Sequence, residues 1–136
     1  IYCAAAQPAL ENTLDWLAAE RSLRPATSEI AVQDSLIVGK KAERHGAAGD
    51  ALEESDWRQL PAIVSEPERV LFDNRSGKLV FVRSSADTRK IKLALEFDFR
   101  TKKVKGETNL IVSAFKVPTS AIEGEIKGGF YTVVGK

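Results

Sequence analysis

The hydrophobic pattern changes its period in the middle of the chain, within LPAIVSEPERVLFDNRSGKLVFV (residues 60–82). Upstream, apolar residues recur at three- and four-residue spacing, and downstream they alternate with polar residues. Pro67 disfavours helical backbone at Glu66, so a helix that runs through Ile63 should end there. NRSG (residues 74–77) supplies turn chemistry between two apolar runs. The pattern therefore predicts a junction at which a helical half meets an antiparallel sheet.

Upstream of the junction the pattern predicts three helices. The first spans Pro8 to Leu23, with Leu10, Leu14 and Leu17 on one side. The second spans Leu36 to about His45. The third begins near Ser55 and runs through DWRQLPAIV, where Pro61 fits a first turn or two and would otherwise kink the helix.

Downstream, the pattern predicts strands at Arg69–Asn74, Lys78–Arg83, Arg89–Arg100, Glu107–Val117 and Gly129–Val134. The stretch 89–100 alternates strictly, which predicts one buried face and one solvated face. Within the fourth strand, the stretch 110–117 is apolar on both sides, so this strand should be central. Residues 30–32 form a possible short edge strand, and a helical turn is expected over 121–126. The predicted fold class is α+β, with N-terminal helices packed on a curled antiparallel sheet of about five strands.

Composition narrows the classes of protein that this chain can represent. Its 136 residues suit one domain, and 43% hydrophobic residues suffice for a core that needs no disulfide bond or metal ion to stabilise it. The single cysteine, Cys3, excludes an internal disulfide framework, and one cysteine with one histidine disfavours a structural zinc site. A formal net charge of +1 gives no global attraction to nucleic acid or to a membrane. No apolar run is long enough for a membrane-spanning helix, and no cofactor or metal is predicted.

Candidate chemistry concentrates at a basic helix end and on polar strand positions. Lys41, Arg44 and His45 share one face of the second predicted helix. If that face overlooks the sheet, it would lie above Arg83, Lys90, Lys92, Ser113 and Thr132. Such a cleft suits a phosphodiester, because a histidine can move a proton to or from a ribose oxygen and cations can stabilise the phosphorane. No metal is needed if the ribose 2′-hydroxyl is itself the nucleophile.

The same residues also have ordinary structural explanations. Basic groups at a helix C-terminus interact favourably with the helix dipole. Lys90 and Lys92 lie on the side of an alternating strand that also carries acidic residues, as a solvated face does. Ser113 fits a buried hydroxyl bonded to the backbone, and both tryptophans, Trp16 and Trp57, fit core anchors better than base-stacking platforms.

The order of several segments resembles a known group of phage domains. The segments are LPAIVSEPERVLFDN (60–74), KLVFV (78–82), KIKLALEF (90–97), TNLIVSAFKV (108–117) and GFYTVV (129–134). They are similar to the predicted barnase–EndoU–colicin–RelE-like nuclease family of phage polyproteins and of the C-termini of Mu-type phage head morphogenesis proteins. The resemblance covers about residues 30–134. It implies a barnase/RelE-like fold for residues 30–136, whereas residues 1–29 would be an N-terminal helix and linker from a longer chain.

The resemblance also implies an activity, that of a metal-independent ribonuclease in the cytoplasm or the virion. It assigns the helix-borne basic residue to Lys41, Arg44 or His45 and the strand-borne basic residue to Lys90 or Lys92. On that hypothesis His45 is the acid or base, Lys92 helps to bind phosphate, and Asn109 and Ser113 position the RNA. The remaining substrate-binding candidates are Lys90, Arg83 and Thr132.

Two departures from the family pattern keep a second class of function open. Glu96 and Asp98 share a strand face with the expected basic site, and the segment 40–45 lacks a clear family spacing. The alternative is a catalytically inactive structural or interaction module, which would bind other phage head proteins during head assembly or DNA packaging. The near-neutral charge favours this alternative, because non-specific affinity for RNA depends on neutralised phosphates. The basic helix end favours the ribonuclease.

Overall fold

The computed structural model describes residues 2–4, 8–26, 30–32, 52–85, 87–100 and 107–134. Within these ranges the helices are α1 (Pro8–Arg21), α2 (Glu54–Arg58), α3 (Leu60–Ser65) and α4 (Thr119–Lys127). The strands are β1 (Tyr2–Ala4), β2 (Ile30–Val32), β3 (Arg69–Asp73), β4 (Leu79–Ser84), β5 (Lys90–Arg100), β6 (Glu107–Val117) and β7 (Tyr131–Val133). The predicted α+β class is confirmed.

The strands form one sheet of seven in the order β1-β2-β6-β5-β4-β3-β7. All five predicted strands are present, and β6 lies in the interior of the sheet as its apolar sides predicted. The sheet is wider than predicted, and it is mixed, because β2 pairs with β6 in parallel while the other pairs are antiparallel. Strand β2 is not an edge, because β1 pairs with its outer side. Strands of three residues are too short to show a period, so the pattern could not place β1.

The third predicted helix is two short helices, α2 and α3, that are separated by Gln59. Pro61 lies in the first turn of α3. Its missing N–H could not have bonded to the carbonyl of Trp57, so one continuous helix is disfavoured at this point. Helix α2 begins after Glu53 and not after the predicted Ser55. Helix α3 ends at Ser65, as the proline at position 67 predicted.

The sheet has two covered faces, which are named here by their helices. On the three-helix face, α1, α2 and α3 cover a core of mainly aliphatic side chains. That core comprises Ile30, Val32, Leu52, Leu60, Ile63, Val64, Leu79, Phe81, Ile91, Leu93, Leu95, Ile111 and Ala114. On the α4 face, α4 is the described helix that covers a smaller core of Leu71, Val80, Val82, Ile122 and Tyr131. The two cores lie back to back because side chains alternate along each strand.

The N-terminal elements contact the same sheet as the rest of the chain. Strand β1 extends the sheet through β2, and Leu17 of α1 is completely buried. The predicted domain boundary between residues 29 and 30 stays a prediction. The predicted helix Leu36–His45 lies outside the described residues. None of the helices in the described ranges has the length and apolar character required to cross a membrane.

Candidate functional site

The candidate residues do not all lie on one face of the sheet. Lys41, Arg44 and His45 lie outside the described residues, so their position relative to the sheet stays a prediction. Strand register places Lys90, Lys92 and Ser113 on the α4 face, opposite Ser84, Val82 and Ala94 respectively. Register places Arg83, Asn109 and Thr132 on the three-helix face, opposite Ile91, Ile30 and Phe72. A single cleft therefore does not contain all of the described candidates.

Two candidates on the three-helix face bond to the backbone of neighbouring elements. The Arg83 guanidinium donates to the carbonyl of Glu66, directly after α3 ends. The Asn109 side chain is completely buried, and its Oδ1 accepts a hydrogen bond from the Asp98 N–H at 3.4 Å. Asp98 has a φ of 53° and lies where the β5–β6 register shifts. Arg83 therefore stabilises the end of α3, and Asn109 stabilises the irregularity between β5 and β6.

Thr132 belongs to a cluster at the C-terminal end of α1. Its Oγ1 accepts hydrogen bonds from Asn74 Nδ2 at 2.9 Å and from Arg21 Nη2 at 3.2 Å. The Arg21 guanidinium also lies 5.0 Å from the ring centroid of Trp16, which packs against Phe72 at 6.2 Å. These contacts tie α1 to β3 and β7. They agree with the interpretation of Trp16 as a packing anchor.

Lys90 lies at one end of the α4 face in a cluster of opposite charges. Its Nζ lies 2.7 Å from Glu68 Oε1 and 2.8 Å from Ser84 Oγ. Hydrogen bonds from Lys90 and Ser84 lower the pKa of Glu68 from 4.5 to about 2, so its carboxylate is ionised at neutral pH. A second pair, Arg69 with Glu123, lies on the same pocket of about 160 Å³. The pocket therefore has two cations and two carboxylates in its lining.

Lys92 lies under α4 in contact with aromatic rings and one carboxylate. Its side chain is 12% exposed, and Nζ lies 3.8 Å from Glu125 Oε1. The ammonium also lies 4.8 Å from the ring centroid of Tyr131 and 5.4 Å from that of Phe115. The rings interact favourably with a cation through their electron-rich faces. The charge of Lys92 is thus held at a fixed point between β5 and α4.

Arg75 approaches the same carboxylate from the tight turn between β3 and β4. Its Nη2 lies 2.8 Å from Glu125 Oε2, and its guanidinium lies 4.6 Å from the ring centroid of Phe130 and 5.5 Å from that of Tyr131. Hydrogen bonding to Asp73 and then to Glu125 raises the pKa of Arg75. Burial alone would raise the pKa of Asp73, but hydrogen bonds from the Arg75 amide and guanidinium outweigh it and lower that pKa.

These contacts define what we term the Glu125 cluster, which consists of Arg75, Lys92, Glu125, Phe130 and Tyr131. The Glu125 carboxylate contacts both cations, and both cations also lie near the Tyr131 ring. The pattern of the sequence singled out only Lys92 among these residues. From the local sequence, Arg75 is predicted only to be a turn residue, and Glu125 only to be a polar position on a helix. The only hint of this cluster in the sequence is the aromatic pair Phe130–Tyr131 of GGFY, which lies within the last predicted strand.

A second charged group that the sequence did not reveal lies on the three-helix face, where Lys116 and Asp56 are buried and their neighbour Asp87 is 41% exposed. Lys116 Nζ lies 2.9 Å from Asp56 Oδ2 and 3.2 Å from Asp87 Oδ2, with side-chain exposures of 2% for Lys116 and 0% for Asp56. Burial would lower the pKa of Lys116, but hydrogen bonds to both aspartates outweigh it and raise that pKa. Asp56 Oδ2 also accepts the Glu53 N–H at 2.9 Å. This ion pair connects β6 to the start of α2, away from solvent.

In the part of the chain that the structure describes, no three His, Cys, Asp or Glu side chains are grouped to hold a metal ion. Comparison with protein-family models, with curated proteins and with solved structures gives no match for this chain. The case for a function therefore depends on the geometry of its own residues and on the resemblance stated above.

Proposed function

We propose that this chain is a metal-independent ribonuclease-like domain of a phage or prophage head-associated protein, and that its reacting groups surround Glu125. The observation that carries the proposal is the position of the Glu125 carboxylate, 2.8 Å from Arg75 and 3.8 Å from Lys92. The Glu125 and Arg75 side chains are 32% and 49% exposed, so a ligand can reach them. A carboxylate beside two fixed cations combines a proton acceptor with groups that stabilise negative charge.

The proposed reaction is an internal transesterification of RNA. Glu125 accepts the proton of the ribose 2′-hydroxyl, and the 2′-oxygen attacks the adjacent phosphorus. The bond from phosphorus to the 5′-oxygen of the next nucleotide breaks, which leaves a 2′,3′-cyclic phosphate and a 5′-hydroxyl. Arg75 and Lys92 stabilise the charge on the phosphorane oxygens. The leaving 5′-oxygen takes a proton from an acid, and His45 stays the predicted donor.

The other described candidates on the α4 face suit binding more than chemistry. Lys90 and Arg69 line the pocket at the start of α4 and could contact phosphates along the strand. Ser113 pairs with Ala94 two positions along β5 from Lys92, on the same face of the sheet. The candidates on the opposite face, Arg83 and Thr132 among them, have no part in this proposal.

The direct test is incubation of the purified chain with a labelled RNA in excess EDTA, followed by analysis for cyclic phosphate ends. Glu125→Gln keeps the shape of the side chain and removes the proton acceptor, so cleavage should fall by about 10²- to 10⁴-fold. Glu54→Gln makes the same change in an exposed pair with Arg58 on α2 and should leave cleavage unchanged.

A second comparison tests the predicted acid together with the phosphate-binding lysine. The double variant His45→Ala, Lys92→Ala should show no cleavage above buffer. Wild-type cleavage that does not exceed that of this variant, or a fully active Glu125→Gln variant, would contradict the ribonuclease.

A specific observation supports the alternative, a phage head interaction module without catalysis. Lys90, Lys92 and Arg83 each contact a carboxylate or carbonyl oxygen of the chain itself. Cations compensated in this way, in a chain of formal net charge +1, release few counterions from RNA. The alternative predicts no cleavage by the wild type and a defined stoichiometric complex with a purified portal or head protein, measured by light scattering. Absence of any such complex would count against it.

A further inference from the structure

Among the side chains whose exposure the structure describes, Phe130 is the exposed large hydrophobic one. Its exposed fraction is 46%. Its backbone is nevertheless fixed, because its N–H donates to the carbonyl of Glu125 at 3.0 Å and its carbonyl accepts the Asn74 N–H at 2.9 Å. The ring is therefore held in solvent by a rigid backbone, directly beside the proposed catalytic carboxylate.

The ring has a guanidinium over one of its faces. The Arg75 guanidinium lies 4.6 Å from its centroid, and two carboxylates, Asp73 and Glu125, hold that guanidinium in place. Gly128 leaves room for the ring, since a Cβ there would lie 3.2 Å from Phe130 Cε2. The absence of a side chain at position 128 thus lets the ring lie close to the end of α4. An aromatic ring and a guanidinium, both partly exposed, form one surface.

We infer that Arg75 and Phe130 form a stacking subsite for an unpaired base of single-stranded RNA, next to the phosphodiester that Glu125 would address. This inference depends on the proposed function, because it names the substrate class of the same site. Aromatic and guanidinium planes are the surfaces on which proteins stack unpaired bases. Bases in a duplex are already stacked and paired, so the subsite selects single strands.

The surroundings of Phe130 favour a base over a protein partner. The charged Arg75 guanidinium lies over the ring, and Gly128 places no side chain against it. One exposed ring in such a setting offers much less apolar area than a specific protein interface buries. A base needs only the area of a single ring and a nearby cation for its phosphate.

The test measures binding without cleavage. The probe is a fluorescein-labelled hexanucleotide with 2′-O-methyl riboses, which lack the nucleophile, and the competitor is a blunt duplex of the same sequence. Fluorescence anisotropy should show preference for the single strand. Phe130→Ala should raise the Kd for the single strand about 5- to 100-fold, as loss of a stacking side chain does elsewhere. Phe130→Trp should keep the affinity, and Phe130→Leu, which keeps apolar bulk without a π face, should behave like Phe130→Ala.

The outcomes separate this inference from the proposed function. If the wild type cleaves RNA and Phe130→Ala binds the probe as tightly, the stacking subsite is overturned while the ribonuclease stands. If Glu125→Gln binds the probe normally and no variant or wild type cleaves, the ribonuclease fails while the subsite stands. Equal affinity for duplex and single strand would overturn the subsite. So would a wild type that does not bind RNA but forms a protein complex that Phe130→Ala loses. Thermal unfolding of each variant confirms that the exposed substitutions leave the fold intact.

Discussion

The two faces of the sheet differ in how far their central ion pairs are exposed to solvent. The three-helix face is closed by three helices over a broad aliphatic core, and its Lys116 is sealed against Asp56 at exposures of 2% and 0%. The α4 face is covered, among the elements that the structure describes, by α4, a helix of nine residues. Its cations stay in partial contact with solvent, as Lys92 and Arg75 do at 12% and 49% exposure.

The difference separates charges that hold the fold from charges that can meet a ligand. A buried ion pair has no access for substrate, and its main effect is to fix α2 on β6. A partly exposed carboxylate between two cations, such as Glu125, keeps access while its geometry is fixed by neighbours. Ion pairing alone thus does not identify a site; the degree of solvent access decides which cluster is a candidate.

The largest effect that would test this contrast is expected at the buried pair. Lys116→Met should lower the free energy of unfolding by about 3–5 kcal/mol, because it leaves the Asp56 carboxylate buried and uncompensated. Asp56 Oδ1 already has no hydrogen-bond partner. Urea unfolding at neutral pH measures the loss. The matched change on the α4 face, Lys92→Met, should lower stability by about 1 kcal/mol or less and abolish RNA cleavage. Similar stability losses at both lysines would break the contrast.

A smaller difference between the two faces is expected from their apolar cores. Ile63→Ala on the three-helix face should lower the free energy of unfolding by about 4 kcal/mol and Ile122→Ala under α4 by about 2 kcal/mol. Both side chains are buried, but Ile122 belongs to the smaller core. Urea unfolding ranks the two variants. A larger loss at Ile122 would mean that α4 is an essential part of the core and not a thin cover over the site.

The smallest effect is expected at the pocket on the α4 face. Glu68 has a folded pKa of about 2 against 4.5, so its stabilising pair with Lys90 is complete above about pH 4.5 and is lost as pH falls towards 2. Its side chain is 38% exposed, so solvent screening limits the gain to about 0.5–1 kcal/mol. Glu68→Gln should lose that amount at neutral pH, and the difference from wild type should shrink through pH 4.5 to 2 and vanish below about pH 2. A difference that persists there would show that Glu68 acts through packing and not through its charge.

The pattern of the chain predicted most elements because they depend on neighbours in sequence. The alternation of apolar and polar residues in 89–100 predicted β5, and Pro67 predicted the end of α3. The pattern did not predict β1 or the parallel β2–β6 pair, because strands of three residues have no readable period. It also gave no sign that Asp56 neutralises a buried lysine on a distant strand.

The junction at residues 60–82 shows what the sequence by itself determined: a helix end, two strands and the tight turn between them, all from local backbone preferences and apolar spacing. Only the tertiary structure brings the residues of the candidate site together. Arg75 of that turn and Glu125 of α4 are 50 residues apart, and their 2.8 Å contact exists only because β7 returns to pair with β3. Periodicity shows which side chains share a face of one element. It does not show which elements meet, because strand order and register depend on the balance of contacts across the whole sheet.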